Sequence, residues 1–346
     1  MARPAEFIQR AVENLPAASF SFVMATGIVS ISLLMHGLVV FSWILLGVGA
    51  AGYLLLLVLT LVQFRRHPDT IRGFLRDPHT RFGYFTFVAA SEVLGSRLIL
   101  ADVPVIPLVQ LGIALCMWPV IAVLVLRALR ADPRHWYTEV NGSWFLISVA
   151  ANSIGVLSGS LAKMRPQFTD VFAVLSMCAW VVGLIFYLTI LFGVATRVAR
   201  RQLTAESLTA PYWITMGACA ITVLNSSRIA NLPVTAPLSG LTSWVGHIGL
   251  IVWFFATVLI PVILAAGWWR HMHHRVPLDN PVLLWSVVFP LGMYDVASTL
   301  MAQDHDLPVA QVIGNAGVWL ALAAWVLTIA AHAWRRLRPD QDPRTT

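Results

Sequence analysis

Six polar side chains lie inside long apolar runs, where water cannot solvate them: Glu92, Arg97, Asn152, Asn225, Arg228 and Asp295. A carboxyl can take up and release a proton, a guanidinium attracts anions, and a carboxamide both donates and accepts hydrogen bonds. Such groups are costly in hydrocarbon, so each must face either a partner helix or a wet pathway, and both readings are open for all six. Glu92 and Arg97 stand five positions apart, about 140° round a helix, and are therefore poor partners for each other. Glu92 is a candidate proton site, or else a neutral carboxyl hydrogen-bonded between helices.

Other chemistries are poorly represented. Neither HExxH nor GxSxG occurs, and no histidine stands at ligand spacing from a carboxylate within an apolar run, which argues against an intramembrane enzyme. Cys116, Cys178 and Cys219 lack CxxC spacing and fall inside apolar runs, so they are expected as buried packing residues rather than disulfides or thiolate ligands. The segment Arg270-His271-Met272-His273-His274-Arg275 has metal-like histidines but no carboxylate and no second cluster. No metal or cofactor is expected.

The elements that position these residues follow from composition. Of 346 residues, 58% are hydrophobic and 11% charged, against about 25% charged in a soluble domain. The solvent is therefore a bilayer, and the whole of 1–346 reads as one transmembrane domain. Ten apolar segments are each long enough to cross as a helix: Ala17–His36, Leu38–Val62, Phe82–Ala101, Val105–Leu126, Gly142–Leu161, Val171–Val194, Ala210–Ile229, Leu241–Trp268, Pro281–Met301 and Val309–Ala331. The first is read as a retained span, because Glu13 precedes it and no cleavage site follows.

The net charge of +7 comes from arginines clustered between spans, a juxtamembrane pattern that speaks against nucleic acid. With both termini in the cytoplasm, 19 of the 23 Lys and Arg residues fall inside, leaving Arg97, Lys163, Arg165 and Arg228. The parity this fixes is informative, because all six buried polar residues lie in odd-numbered spans. An inner set of odd helices within an outer set of even ones is the expected arrangement, with five helical hairpins in sequence. Pro290 breaks the backbone bonding of the ninth span, as discontinuities at transporter cavities do.

In the first span, Phe20-Ser21-Phe22-Val23-Met24-Ala25-Thr26-Gly27-Ile28-Val29-Ser30 resembles the opening of the tellurite-resistance and C4-dicarboxylate transporter family. That ten-helix family includes guard-cell slow anion channels, malate permeases and sulfite efflux pumps. In the ninth span, Trp285-Ser286-Val287-Val288-Phe289-Pro290-Leu291-Gly292 looks like the family segment in which a phenylalanine before a proline plugs the pore. The resemblance implies a pore within each protomer, a quasi-fivefold ring of odd helices, a homotrimer, and Phe289 with Pro290 as the gate. It also implies a largely apolar pore, from which Glu92, Arg97 and Asp295 depart.

Two transport readings follow. One is a pathway for small anions, inorganic or C4-dicarboxylate, gated by Phe289 and drawing on Glu92, Arg97, Asn152, Asn225, Arg228 and Asp295. The other is a proton-coupled carrier of dicarboxylates, sulfite or tellurite that uses Glu92 or Asp295. A receptor without transport is the remote third. With 22 arginines and the single Lys163, the composition suits a bacterial inner membrane.

Overall fold

The computed structural model describes residues 9, 11–103, 105–131, 136–277 and 281–337. Both termini lie outside the described residues, so their sidedness is not a structural observation. Ten long helices succeed one another: α1 (Ser21–Met35), α2 (Val39–Arg66), α3 (Phe85–Ile99), α4 (Val105–Ala131), α5 (Leu146–Met164), α6 (Thr169–Ala199), α7 (Ile214–Ala230), α8 (Ala236–Trp268), α9 (Pro281–His305) and α10 (Pro308–Leu337). The described residues contain no strand. Each helix overlaps one of the ten apolar segments, because an apolar run can satisfy its backbone in hydrocarbon only by internal bonding.

Length divides them. α2, α4, α5, α6, α8, α9 and α10 are long and apolar enough to cross a membrane. α1, α3 and α7 have 15, 15 and 17 residues, about 22–26 Å at 1.5 Å per residue. The shortfall has a local cause for α3 and α7, which are led in by 3₁₀ turns at Arg81–Tyr84 and Ala210–Trp213, as α5 is at Gly142–Phe145. The α1–α2 connection is minimal. Gly37 takes φ 76°, and the bonds Leu38 N–H to Leu33 O (2.8 Å) and Gly37 N–H to Leu34 O (3.1 Å) close a Schellman turn that only glycine enters without strain.

Burial follows parity. The membrane-length window of α5 is wholly buried, whereas that of α8 is 17% buried. Consecutive helices pair as hairpins: α1 with α2, α3 with α4, α5 with α6, α7 with α8, and α9 with α10. The odd helices also touch in cyclic succession, α1 to α3, α5, α7, α9 and back to α1.

Each even helix additionally leans on the next odd one, and each does so with an aromatic hydrogen bond. Tyr53 on α2 bonds Ser91 on α3 (2.8 Å), and Trp118 on α4 donates to the Ile147 carbonyl on α5 (3.2 Å). Trp180 on α6 donates to Ser226 on α7 (2.8 Å), Trp253 on α8 to Ser298 on α9 (2.9 Å), and Trp325 on α10 to Thr26 on α1 (3.0 Å). A large ring fills the interhelical groove, and its polar atom finds a partner that hydrocarbon does not supply.

The cysteines depart from expectation. Cys219 is buried and its thiol donates to the Tyr187 hydroxyl (2.8 Å), but Cys116 and Cys178 are exposed. They sit on α4 and α6, which bury only one stripe and turn the rest of their apolar surface outward, so apolar sequence there does not mean protein interior.

Candidate functional site

A narrow cavity of about 20 Å³ lies among the odd helices. It is lined by Ile28 and Ile31 of α1, Glu92, Val93 and Ser96 of α3, Ser153 and Val156 of α5, Ile221 and Leu224 of α7, and Met293 of α9. All five odd helices thus reach one space, with room for about one water molecule. Nine of these positions are apolar or hydroxyl-bearing, and Glu92 is the only ionisable one.

Glu92 is 1% exposed, and neither carboxyl oxygen has a hydrogen-bond partner. The Ser96 hydroxyl, one helical turn further along the same face, is also buried and unbonded. Ser153 donates to the carbonyl of Val149 (2.9 Å), which leaves its oxygen free to accept. A polar atom without a partner in protein is normally costly, and Glu92 and Ser96 share that condition with Arg97 Nη1, Gln110 Oε1 and Asp295 Oδ1.

The other residues read from sequence are placed elsewhere. Arg97 is fully buried but turns to the α1–α2 hairpin, donating to Ser30 (3.0 Å) and Ser42 (3.0 and 3.2 Å) with Trp43 5.1 Å from the guanidinium carbon. Ser30 and Ser42 in turn donate to each other's carbonyls, both at 2.7 Å, so the arginine seals a polar clasp. Asn152 and Asn225 join α5, α6 and α7. Asn225 donates to Asn152 (3.3 Å), Asn152 to Thr222 (3.1 Å) and Ser176 to Asn225 (3.0 Å). Arg228 is half-buried at the end of α7, and its Nε has no hydrogen-bond partner.

Asp295 lies two residues beyond the cavity-lining Met293 and so points to the opposite side of α9, about 200° round. It is fully buried and accepts from the Ser32 hydroxyl of α1, while its other oxygen is 3.6 Å from Nε2 of His36. A methyl on Gly317 of α10 would come within 2.8 Å of the Asp295 Cβ, which fixes the third wall of this pocket. Sequence reasoning passed over Ser32 and His36. Their spacing of four, the next turn on one helix face, was the available signal.

Phe289 is fully buried and sits one turn before Met293, on the same face of α9. Met24 on α1 holds the equivalent position one turn before Ile28 and is 1% exposed. Pro290 packs on α7, where a methyl on Gly217 would lie 2.8 Å from the proline ring. Among the described residues no cluster of three histidine, cysteine or acidic side chains suits a metal. Arg270 of the histidine-rich segment instead donates to the carbonyls of Ala205 (2.9 Å) and Glu206 (3.0 Å).

A sequence profile of the voltage-dependent anion channel family, SLAC1, matches residues 14–333. The chain belongs to this family. Membership makes it a multi-pass protein of membrane transport, a class of channels and transporters rather than enzymes. An uncharacterized membrane protein of Mycobacterium tuberculosis is 42% identical over 139 residues, 40% of this chain and 70% of the relative. An uncharacterized transporter of Methanocaldococcus jannaschii is 21% identical over 344 residues, 93% of this chain and 95% of that one.

Proposed function

We propose that this member of the voltage-dependent anion channel family passes small anions across the bilayer through the space enclosed by α1, α3, α5, α7 and α9, with Phe289 as its gate. The observation that carries the reading is a cavity to which all five odd helices contribute side chains. Their cyclic contacts support a quasi-fivefold inner ring, with the even helices as an outer ring facing lipid. All ten helices cross the bilayer in this reading, the three short ones reaching full depth with their lead-in segments.

Phe289 suits a gate because it is buried on the cavity-lining face of α9, one turn from Met293. A ring there obstructs an anion by size and by excluding water. Pro290 holds the backbone against Gly217 at the level of the obstruction. We further infer an inner-membrane homotrimer with both termini cytoplasmic, on the family likeness and the arginine pattern.

The test is anion flux into proteoliposomes. Phe289→Ala, folded and of the parent's oligomeric state, is expected to raise flux about tenfold or more. Flux no greater than the parent's would remove Phe289 from the gating role.

The proton-coupled carrier is the second reading, favoured by the lone carboxyl of Glu92 in the cavity. Asp295 contributes less directly to either reading, because its partners Ser32 and His36 belong to α1 and its oxygen atoms face away from the cavity lining. Uptake driven by a pH gradient, lost in Glu92→Gln or Asp295→Asn, would favour the carrier.

A further inference from the structure

Resting on the pathway reading, the cavity beside Glu92 is what an anion meets halfway along. The cavity lining contains no cation. Arg97, the nearest guanidinium along the same helix, turns Nε and Nη2 to Ser30 and Ser42 beside Trp43, with Nη1 buried and unbonded, and does not line the cavity. Attraction to positive charge therefore does not explain occupancy at this depth. Glu92 and Ser96 line the cavity from one helix face, and the Glu92 carboxyl and the Ser96 hydroxyl have no hydrogen-bond partner, although the open surface of the cavity is apolar, so both groups must turn inward to meet a ligand.

We propose that Glu92 and Ser96 form the anion's resting site in the middle of the pathway, and that the site admits an anion only while Glu92 carries its proton. A neutral carboxyl has an O–H to donate, and the serine has a second. Both point an electropositive hydrogen at an acceptor without adding net charge. An ionised Glu92 donates nothing and sets a second negative charge against the anion in a confined, apolar-walled space, where Coulomb repulsion is poorly screened. The ligand class is a small monovalent hydrogen-bond acceptor, for which a halide, nitrate and a small carboxylate are equivalent in this chemistry.

No other titratable group competes for control of the cavity. On α3 itself Arg97 turns to the α1–α2 hairpin, and Arg81 and Tyr84 lie in the lead-in turn, with Arg81 donating to the Arg76 carbonyl at 2.5 Å. On α1, His36 is engaged at the far end with Asp295. Tyr53 of α2, bonded to Ser91 (2.8 Å), is near enough to interact electrostatically with Glu92, but a phenol is a far weaker acid than a carboxyl. On α4, Cys116 is exposed and Arg127 and Arg130 stand near the helix end, and on α5 Lys163 is in the last turn. None of these side chains lines the cavity with Glu92.

Lowering pH populates the protonated carboxyl and raises flux, and raising pH empties the site. The experiment measures chloride, nitrate and formate flux in proteoliposomes at equal pH on both sides, stepped from about pH 5 to about pH 9. The parent and Phe289→Ala are compared with Glu92→Gln, Glu92→Asp and Ser96→Ala made in each.

Above the carboxyl's midpoint, flux in the titratable chains should fall about tenfold per pH unit, as a one-proton requirement dictates. Glu92→Gln should stay within about twofold across the range, since an amide donates at every pH. Glu92→Asp should keep the dependence, which answers the concern that loss of it reflects misfolding. Ser96→Ala should raise the half-saturating anion concentration and leave the pH profile in place. The three anions distinguish one shared acceptor site from a carboxylate-specific one, and a profile seen with formate alone would overturn the site as stated.

A Glu92→Gln profile that follows the parent's, or flux that rises with pH, would also overturn it while leaving the anion pathway intact. Absence of anion flux in both the parent and Phe289→Ala at every pH would instead overturn the pathway reading, and the site with it.

Discussion

At the scale of single residues, some buried polar groups are bonded between helices and others are left without a partner. Asn152 and Asn225 have their amide atoms bonded across α5, α6 and α7, and Arg97 gives Nε and Nη2 to the Ser30–Ser42 clasp while Nη1 stays unbonded. Asn225→Ala should therefore lower stability by about 1–3 kcal/mol, because the Asn152 and Ser176 groups lose a buried partner. Thermal unfolding in detergent measures that loss, and an unchanged melting temperature would contradict it. Flux stepped across pH should keep its Glu92-dependent profile in this variant. All six residues were legible in the sequence as polar groups in apolar runs. Their division into bonded and unbonded was not, since it depends on neighbours more than 50 positions away, such as Ser42 for Arg97 and Thr222 for Asn152.

At the scale of elements, the even helices are fastened to the next odd helix by Tyr53, Trp118, Trp180, Trp253 and Trp325. Tryptophans in a membrane sequence are ordinarily read as interfacial anchors. The four used here sit within even helices at protein-facing positions, and Trp253 is 1% exposed. Trp253→Phe keeps most of the packing and removes the bond to Ser298, so about 1 kcal/mol of stability should be lost. The α7–α9 contact is more demanding. Gly217→Ala places a methyl 2.8 Å from the Pro290 ring, and the strain should cost about 1–3 kcal/mol. Comparing the two variants by thermal unfolding tests both, and equal stability of Gly217→Ala and parent would mean that α9 yields freely at Pro290. Helix identity and most boundaries were readable from apolar run length. The 3₁₀ lead-in turns were not, because aromatic residues such as Phe82, Trp144 and Trp213 extend the apolar runs into them and the change from 3₁₀ to α bonding leaves no mark in composition.

At the scale of the whole molecule, the family match over residues 14–333 and the inside-positive arginine pattern concern different things, transport class and orientation. Reporter fusions at each end should place both termini in the cytoplasm, and opposite sidedness would imply an odd number of crossings. Native mass measurement of the detergent-solubilised protein should give three copies, and a monomer alone would remove the trimer while sparing a pathway contained in one chain. What the sequence determined by itself is the solvent, the helical class, the family and the parity of the polar residues. These follow from composition, run length and local motif, all properties of contiguous chain. Only the tertiary structure decided that Glu92 is among the residues lining a space shared by five helices, that Arg97 does not line that space, and that Asp295 faces Ser32 and His36 instead. Those outcomes depend on how far each helix is rotated about its axis, and rotation is fixed by side chains distant in sequence that meet in the folded molecule.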